Sequence, residues 1–250
     1  GNGLARTYGL DFHLKDSRFL GQEAKTGELI GWYMQTENQG VEDYGWGLTA
    51  IYPNNPIYMR AGLQRVGEDL DPAMGFVRRP GIYEFISFFS YEMAPKGSRW
   101  NEIDFDFSAV FDADLNWEIL SEEYEFNVTF ERKGGGEIQF GIEHEWERFL
   151  EDFEISDGVV VPVGDYRSTK LFGGIETPSS WEWGGQLEAS AGEYLGGQRQ
   201  EIELNVFWKP GPDWATRISA ANAWHQLPGG DFHTLVVNSA VQWTPTSNLL

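Results

Sequence analysis

The chain has 250 residues, with 39 Asp plus Glu against 18 Lys plus Arg and a net charge of −21. Such a surface repels phosphate backbones and argues against a nucleic-acid partner. Aromatic residues make up 15% of the chain, including 11 Trp, which is too many for an acidic disordered protein. There is no Cys, and no apolar run is long enough for a membrane helix; half-apolar barrel strands escape that test.

Helical periodicity is absent. Alternating runs bounded by Gly, Pro, Asn and Asp predict about thirteen strands, over 4–15, 27–38, 43–52, 57–67, 82–93, 100–114, 118–132, 136–149, 165–176, 181–194, 199–209, 214–226 and 231–244. In the first, Tyr8, Leu10, Phe12 and Leu14 oppose Gly9, Asp11, His13 and Lys15. The linker 16–26 is long for its place and predicts an extra bend or an extension of the second strand. Strand 82–93 is mixed and chooses no face.

The clearest pattern lies between Asn101 and Leu120. Ile103, Phe105, Phe107, Ala109, Phe111, Ala113 and Leu115 share one parity, and Asp104, Asp106, Ser108, Asp112 and Asp114 the other. Successive strand side chains point to opposite faces, so one face is oily and the other acidic. The pattern returns with Tyr124, Phe126, Val128 and Phe130 against Glu123, Glu125 and Glu131, and with Ile138, Phe140 and Ile142 against Glu137, Gln139, Glu143 and Glu145. It returns again with Ile202, Leu204, Val206 and Trp208 against Glu201, Glu203 and Asn205, and with Leu235, Val237, Val241 and Trp243 against Thr234, Asn238 and Gln242. Strand 214–226 is mixed.

Connections are of two kinds. One set is short, such as Pro53-Asn54-Asn55-Pro56, Lys133-Gly134-Gly135-Gly136 and Pro210-Gly211-Pro212-Asp213; the other contains long excursions near 68–81 and 151–164. Short turns at one end and longer loops at the other are the habit of outer-membrane barrels. Trp100, Trp117, Trp146, Trp181, Trp183, Trp208, Trp214 and Trp243 lie near strand ends, where an aromatic girdle meets the membrane interface. The predicted fold is therefore an all-β, antiparallel, up-and-down transmembrane barrel, residues 1–250 forming one domain that reads as a fragment open at both ends. The alternative is a soluble acidic β-sandwich that binds glycans through Trp and Tyr, since its strands alternate in the same way.

Tyr52-Pro53-Asn54-Asn55, followed by Val66-Gly67-Glu68-Asp69-Leu70-Asp71-Pro72-Ala73-Met74-Gly75-Phe76-Val77-Arg78-Arg79, resembles a family of bacterial outer-membrane proteins. These carry a periplasmic carbohydrate-binding family 9-like domain ahead of a C-terminal β-barrel of unassigned function. Val161-Pro162-Val163-Gly164-Asp165-Tyr166 and Leu227-Pro228-Gly229-Gly230-Asp231-Phe232 resemble it too. The resemblance covers nearly the whole chain as part of the barrel. It implies a location in the bacterial outer membrane, and it brings no catalytic residues and no sugar ligand.

The chemical candidates follow from the acidic parity. Asp104, Asp106, Asp112, Glu123, Glu125, Glu143, Glu201 and Glu203 are expected to face a water-filled lumen, with Arg60 among its few cations. Arg78 and Arg79 are expected either to fold back from their loop and pair with those carboxylates or to stay a surface pair that does little. Glu68, Asp69 and Asp71 supply oxygen ligands that suit Ca²⁺, although no EF-hand spacing is present and a solvated acidic loop is the plainer reading. With 39 acidic residues, a carboxylate pair at glycosidase spacing arises by chance and points to no enzyme. No zinc, nucleophile-elbow or phosphate-loop motif occurs. The expected partners are membrane lipid and a small saccharide or cationic solute, without a cofactor.

Overall fold

The computed structural model describes residues 5–72, 77 and 79–244. The strands are β1 (Arg6–Asp16), β2 (Gly27–Asn38), β3 (Val41–Asn54), β4 (Ile57–Val66), β5 (Ile82–Met93), β6 (Trp100–Asp114), β7 (Ile119–Arg132), β8 (Glu137–Phe149), β9 (Phe153–Ser156), β10 (Val159–Val161), β11 (Gly164–Glu176), β12 (Trp183–Tyr194), β13 (Gly197–Gly211), β14 (Trp214–Leu227) and β15 (Gly230–Trp243). Thirteen form one antiparallel up-and-down sheet, β1 to β8 followed by β11 to β15, and β9 with β10 makes a separate hairpin. The sheet has two free edges, β1 and β15, and is not closed into a barrel. The other sheet among the described residues is the two-stranded β9–β10 hairpin.

The chain falls into two compact units, Gly1–Tyr91 with Asp106–Tyr124, and Glu92–Phe105 with Glu125–Leu250. In the second unit, strand register sets Ile138, Ile175, Leu187, Leu204, Ala220 and Val237 in one continuous row from β8 to β15. The next row runs through Phe140, Gly173, Ala189, Ile202, Asn222 and Leu235. This apolar face is open: Ile175, Leu187, Leu204 and Val237 are 44% to 60% exposed. At one end of the strands Trp183 lies opposite Trp208, and Trp214 opposite Trp243 with ring centroids 5.7 Å apart. At the other end the apolar rows give way to Glu193, Gln198, Gln226 and Asp231, also in register.

The opposite face of the second unit carries carboxylates, and they are the covered side. Along β13, Arg199, Glu201, Glu203 and Asn205 are half-buried while Ile202, Leu204, Val206 and Trp208 are exposed. A soluble protein buries the other parity. The second unit's dry core is a small cluster where the β9–β10 hairpin packs Val159 and Val161 on Leu195 and Leu227, flanked by Phe149, Tyr166 and Phe232. That hairpin, inside the long 151–164 connection, was not expected from alternation, because its strands are only 4 and 3 residues long.

In the first unit the apolar face carries the row Phe12, Gly31, Leu48, Leu63 and Phe85, with Leu10, Tyr33 and Trp46 beside it. Beyond Tyr44 this face turns polar at Arg6, Glu37 and Glu42. The linker 16–26 does contain the expected extra bend, a 3₁₀ turn at Phe19–Gly21 with Leu20 at φ 54°. Phe19 folds over Gly27, where a Cβ would stand 2.3 Å from its ring, and meets Tyr52 at 6.0 Å. Not every connection opposite the short turns is long: Gln39-Gly40 joins β2 to β3 and Leu195-Gly196 joins β12 to β13. Both central residues of each turn have positive φ, the condition for a hairpin turn that matches strand twist.

Candidate functional site

The acidic face of the second unit contains an open groove of about 340 Å³ lined by Glu125, Glu143, Glu188, Glu201 and Glu203 with Lys170. Register builds it. Glu143 lies opposite Lys170, Glu201 opposite Ser190, and Glu203 directly opposite Glu188. Lys170 Nζ is 2.8 Å from Glu143, Arg199 Nη2 is 2.6 Å from Glu201, and Gln139 and Gln186 donate to Glu188 at 3.3 and 2.6 Å. Among the described residues Glu203 has no side-chain partner of this kind. Like charges facing one another across strands are destabilising, and the Gln139 and Gln186 amides on Glu188 offset part of that cost. Glu188 and Lys170 escaped the sequence reading. The signal was there in parity, since Lys170 follows from pairing β11 on the acidic side of β8, but it needs the register first.

The first unit's corresponding face is of another kind. Trp32, Met34, Val66 and Ile82 lie on it, and Leu70 from the β4–β5 connection is buried nearby. The connection is anchored by hydrogen bonds: Asp69 N–H donates to Asp43 Oδ2 at 2.9 Å, Asp71 N–H to the Oγ1 of buried Thr36 at 3.2 Å, and Gly81 N–H to Gly67 C=O at 3.1 Å. Gly67 is required there, because a Cβ would stand 2.2 Å from the Asp43 carboxylate. Burial alone would raise the Asp43 carboxyl. The amides of Asp69 and Tyr44 and the Arg65 guanidinium outweigh that and hold it below the usual carboxylate range. At the far end of the connection, Arg79 Nη1 reaches Asp112 Oδ2 at 3.1 Å.

Asp104 and Asp106 are half-buried on β6, Glu123 is exposed on β7, and Arg60 is exposed on β4. Arg78 lies outside the described residues. Glu68, Asp69 and Asp71 do not form a group of carboxylates close enough to share an ion. The Asp71 carboxylate instead accepts from Asn38 at 2.6 Å. His13 and Lys15 both pair with Glu28, at 2.8 and 2.9 Å. No known protein-family model matches the chain, and neither does any curated protein.

Proposed function

We propose that this chain belongs to a bacterial outer-membrane β-barrel whose acidic face meets water and binds or passes small cationic or saccharide-like solutes. The observation that carries the reading is the reversed burial from β8 to β15 of the second unit, where rows of Ile, Leu and Val are exposed and carboxylates are half-buried, while Ile103 and Val128 of the same unit are buried. An exposed apolar patch on a soluble monomer rarely exceeds ~300–600 Å², and full burial of each such side chain is worth about 1.5–3 kcal/mol. Rows crossing six strands are costly in water and favourable in hydrocarbon. Along β12 the stretch from Trp183 to Ala191 has the length of a transmembrane strand, roughly 9–11 residues at a tilt of about 45°. The paired indoles at one end and the Glu193–Asp231 row at the other fit the two interfaces.

Thirteen strands in antiparallel succession leave β1 and β15 with the same chain direction. In this reading an all-antiparallel barrel takes an odd number of further strands between them. The acidic groove is a binding and conduction surface rather than a catalytic one, because Glu143 and Glu201 are held by Lys170 and Arg199. The family resemblance agrees with this location.

The test is reconstitution of the full-length protein in planar bilayers. Cation-preferring conductance or uptake of a small solute is expected, together with a gel mobility that changes on heating. A chain that stays in the aqueous fraction without detergent, shows no heat-dependent mobility and gives no conductance would overturn the reading.

A further inference from the structure

The first unit holds a pocket of about 280 Å³ beside Leu70 that the reading above does not use. Trp32 is one wall. Its indole lies over two glycines of β3: a Cβ on Gly47 would stand 2.3 Å from Nε1, and one on Gly45 would stand 3.2 Å from Cη2. The missing side chains let the ring lie against the sheet backbone, and Trp32 lines the pocket. Two polar pairs form a second wall. Gln64 donates to Glu84 at 2.7 Å, and Arg79 to Asp112 at 3.1 Å. The second Asp112 oxygen, Oδ1, is buried and accepts no hydrogen bond.

This combination selects a ligand class. An anion would face two carboxylates, and an organic cation drawn to the indole would face the Arg79 guanidinium. A wholly apolar ligand would strip water from Glu84 and Arg79, which line the pocket, without replacing it. A neutral polyhydroxylated ring satisfies all of these groups. Its C–H face lies on the indole, and its hydroxyls donate to carboxylates and accept from the guanidinium. The volume is at the low end of the ~300–1,000 Å³ range of small-molecule sites, room for one ring and not for a chain of them. We propose that this pocket binds a single neutral monosaccharide, with Trp32 as the stacking surface, Glu84 as a hydroxyl acceptor and Arg79 as a hydroxyl donor. The proposal does not depend on the membrane reading.

The experiment uses the full chain in a detergent without a sugar headgroup, or in buffer if it needs none. Glucose and galactose are offered in saturation-transfer NMR, with choline and acetate as the cationic and anionic controls. At least one sugar is expected to bind with a roughly millimolar Kd and to receive saturation at its C–H protons, while the controls receive none. Trp32→Ala should weaken binding roughly tenfold or more, with Trp32→Phe retaining part of it. Asp112→Asn and Gln64→Ala test the polar wall should Trp32→Ala lose its strand spectrum, and each should weaken binding several-fold. Silence from both sugars, stronger binding of choline or acetate, or full sugar affinity in folded Trp32→Ala would each overturn the proposal. None of these outcomes bears on bilayer insertion, so the two readings fail separately.

Discussion

Each unit has an apolar face, and the two differ in what the opposite face carries. In the second unit the opposite face is a row of carboxylates with Lys170 and Arg199 set among them, and it is open as a groove. In the first unit it carries Trp32, Met34, Val66 and Ile82, with Leu70 of the β4–β5 connection buried beside them. The lesson is that alternation fixes which side of a strand is uniformly apolar, while the chemistry of the other side is free to vary along one sheet. A passage and a binding pocket are compatible with one meander for that reason.

The largest expected effect tests what the units share. Leu204→Arg in the second unit and Leu48→Arg in the first each place a charge in the middle of the apolar face. In lipid vesicles each should cost about 2–4 kcal/mol in denaturant unfolding, the penalty for Arg on a barrel's lipid side. Ser190→Arg, on the groove side opposite Glu201, should cost far less. If both leucine variants unfold like the parent chain, the exposed rows do not meet hydrocarbon in either unit.

A smaller effect tests what divides them. Arg79→Gln leaves Asp112 without its cation, and the Asp112 side chain is only 14% exposed. The loss should be about 1–3 kcal/mol, the cost of a buried polar group left unsatisfied. Lys170→Gln removes the corresponding cation of the groove, but Lys170 is 40% exposed and such pairs contribute ~0–1 kcal/mol. Equal losses from the two substitutions, read from urea midpoints at constant slope, would erase the distinction between the first unit's pocket and the second unit's groove.

The sequence made the shared part legible and hid the rest for physical reasons. Strand limits follow from alternation and turn residues, so β5, β6 and β2 are found where the pattern places them. Strand 82–93 chose no face because both of its faces are apolar: Phe85 lies on the open side, and Ile82 lines the pocket. Strand 214–226 chose none because its groove side is made of small residues, Ser219, Ala221 and Ala223, opposite Asn205, Glu203 and Glu201. Trp32 offered no signal of its own, since its role depends on Gly45 and Gly47 one strand away. The turns Gln39-Gly40 and Leu195-Gly196 lack the Asn-Gly signature that would have marked them.

The smallest effect concerns how the β4–β5 connection is held. Asp43 stands level with the polar Arg6–Glu37–Glu42 end of the first unit, beyond the apolar rows. Its carboxyl is held below its ordinary value of 3.8. A depressed carboxyl contributes its stabilisation in full above the ordinary value and loses it as pH falls through the lowered one. The anchoring of Asp69 N–H should therefore be constant through neutral and mildly acidic pH and weaken only in stronger acid. Asp71 N–H is the internal control, because its acceptor, Thr36 Oγ1, does not titrate. In hydrogen exchange, protection of Asp69 relative to Asp71 should fall below about pH 4, and Asp43→Asn should flatten that ratio. In the second unit the control is the amides of Val159 and Val161, in the hairpin packed on Leu195 and Leu227, and not those of Gly158 and Val163, which donate to the Glu154 and Asp152 carboxylates at 2.6 Å. A parallel acid-induced loss of protection at Val159 and Val161 would mean that acid loosens the sheet as a whole, not this one carboxylate clasp.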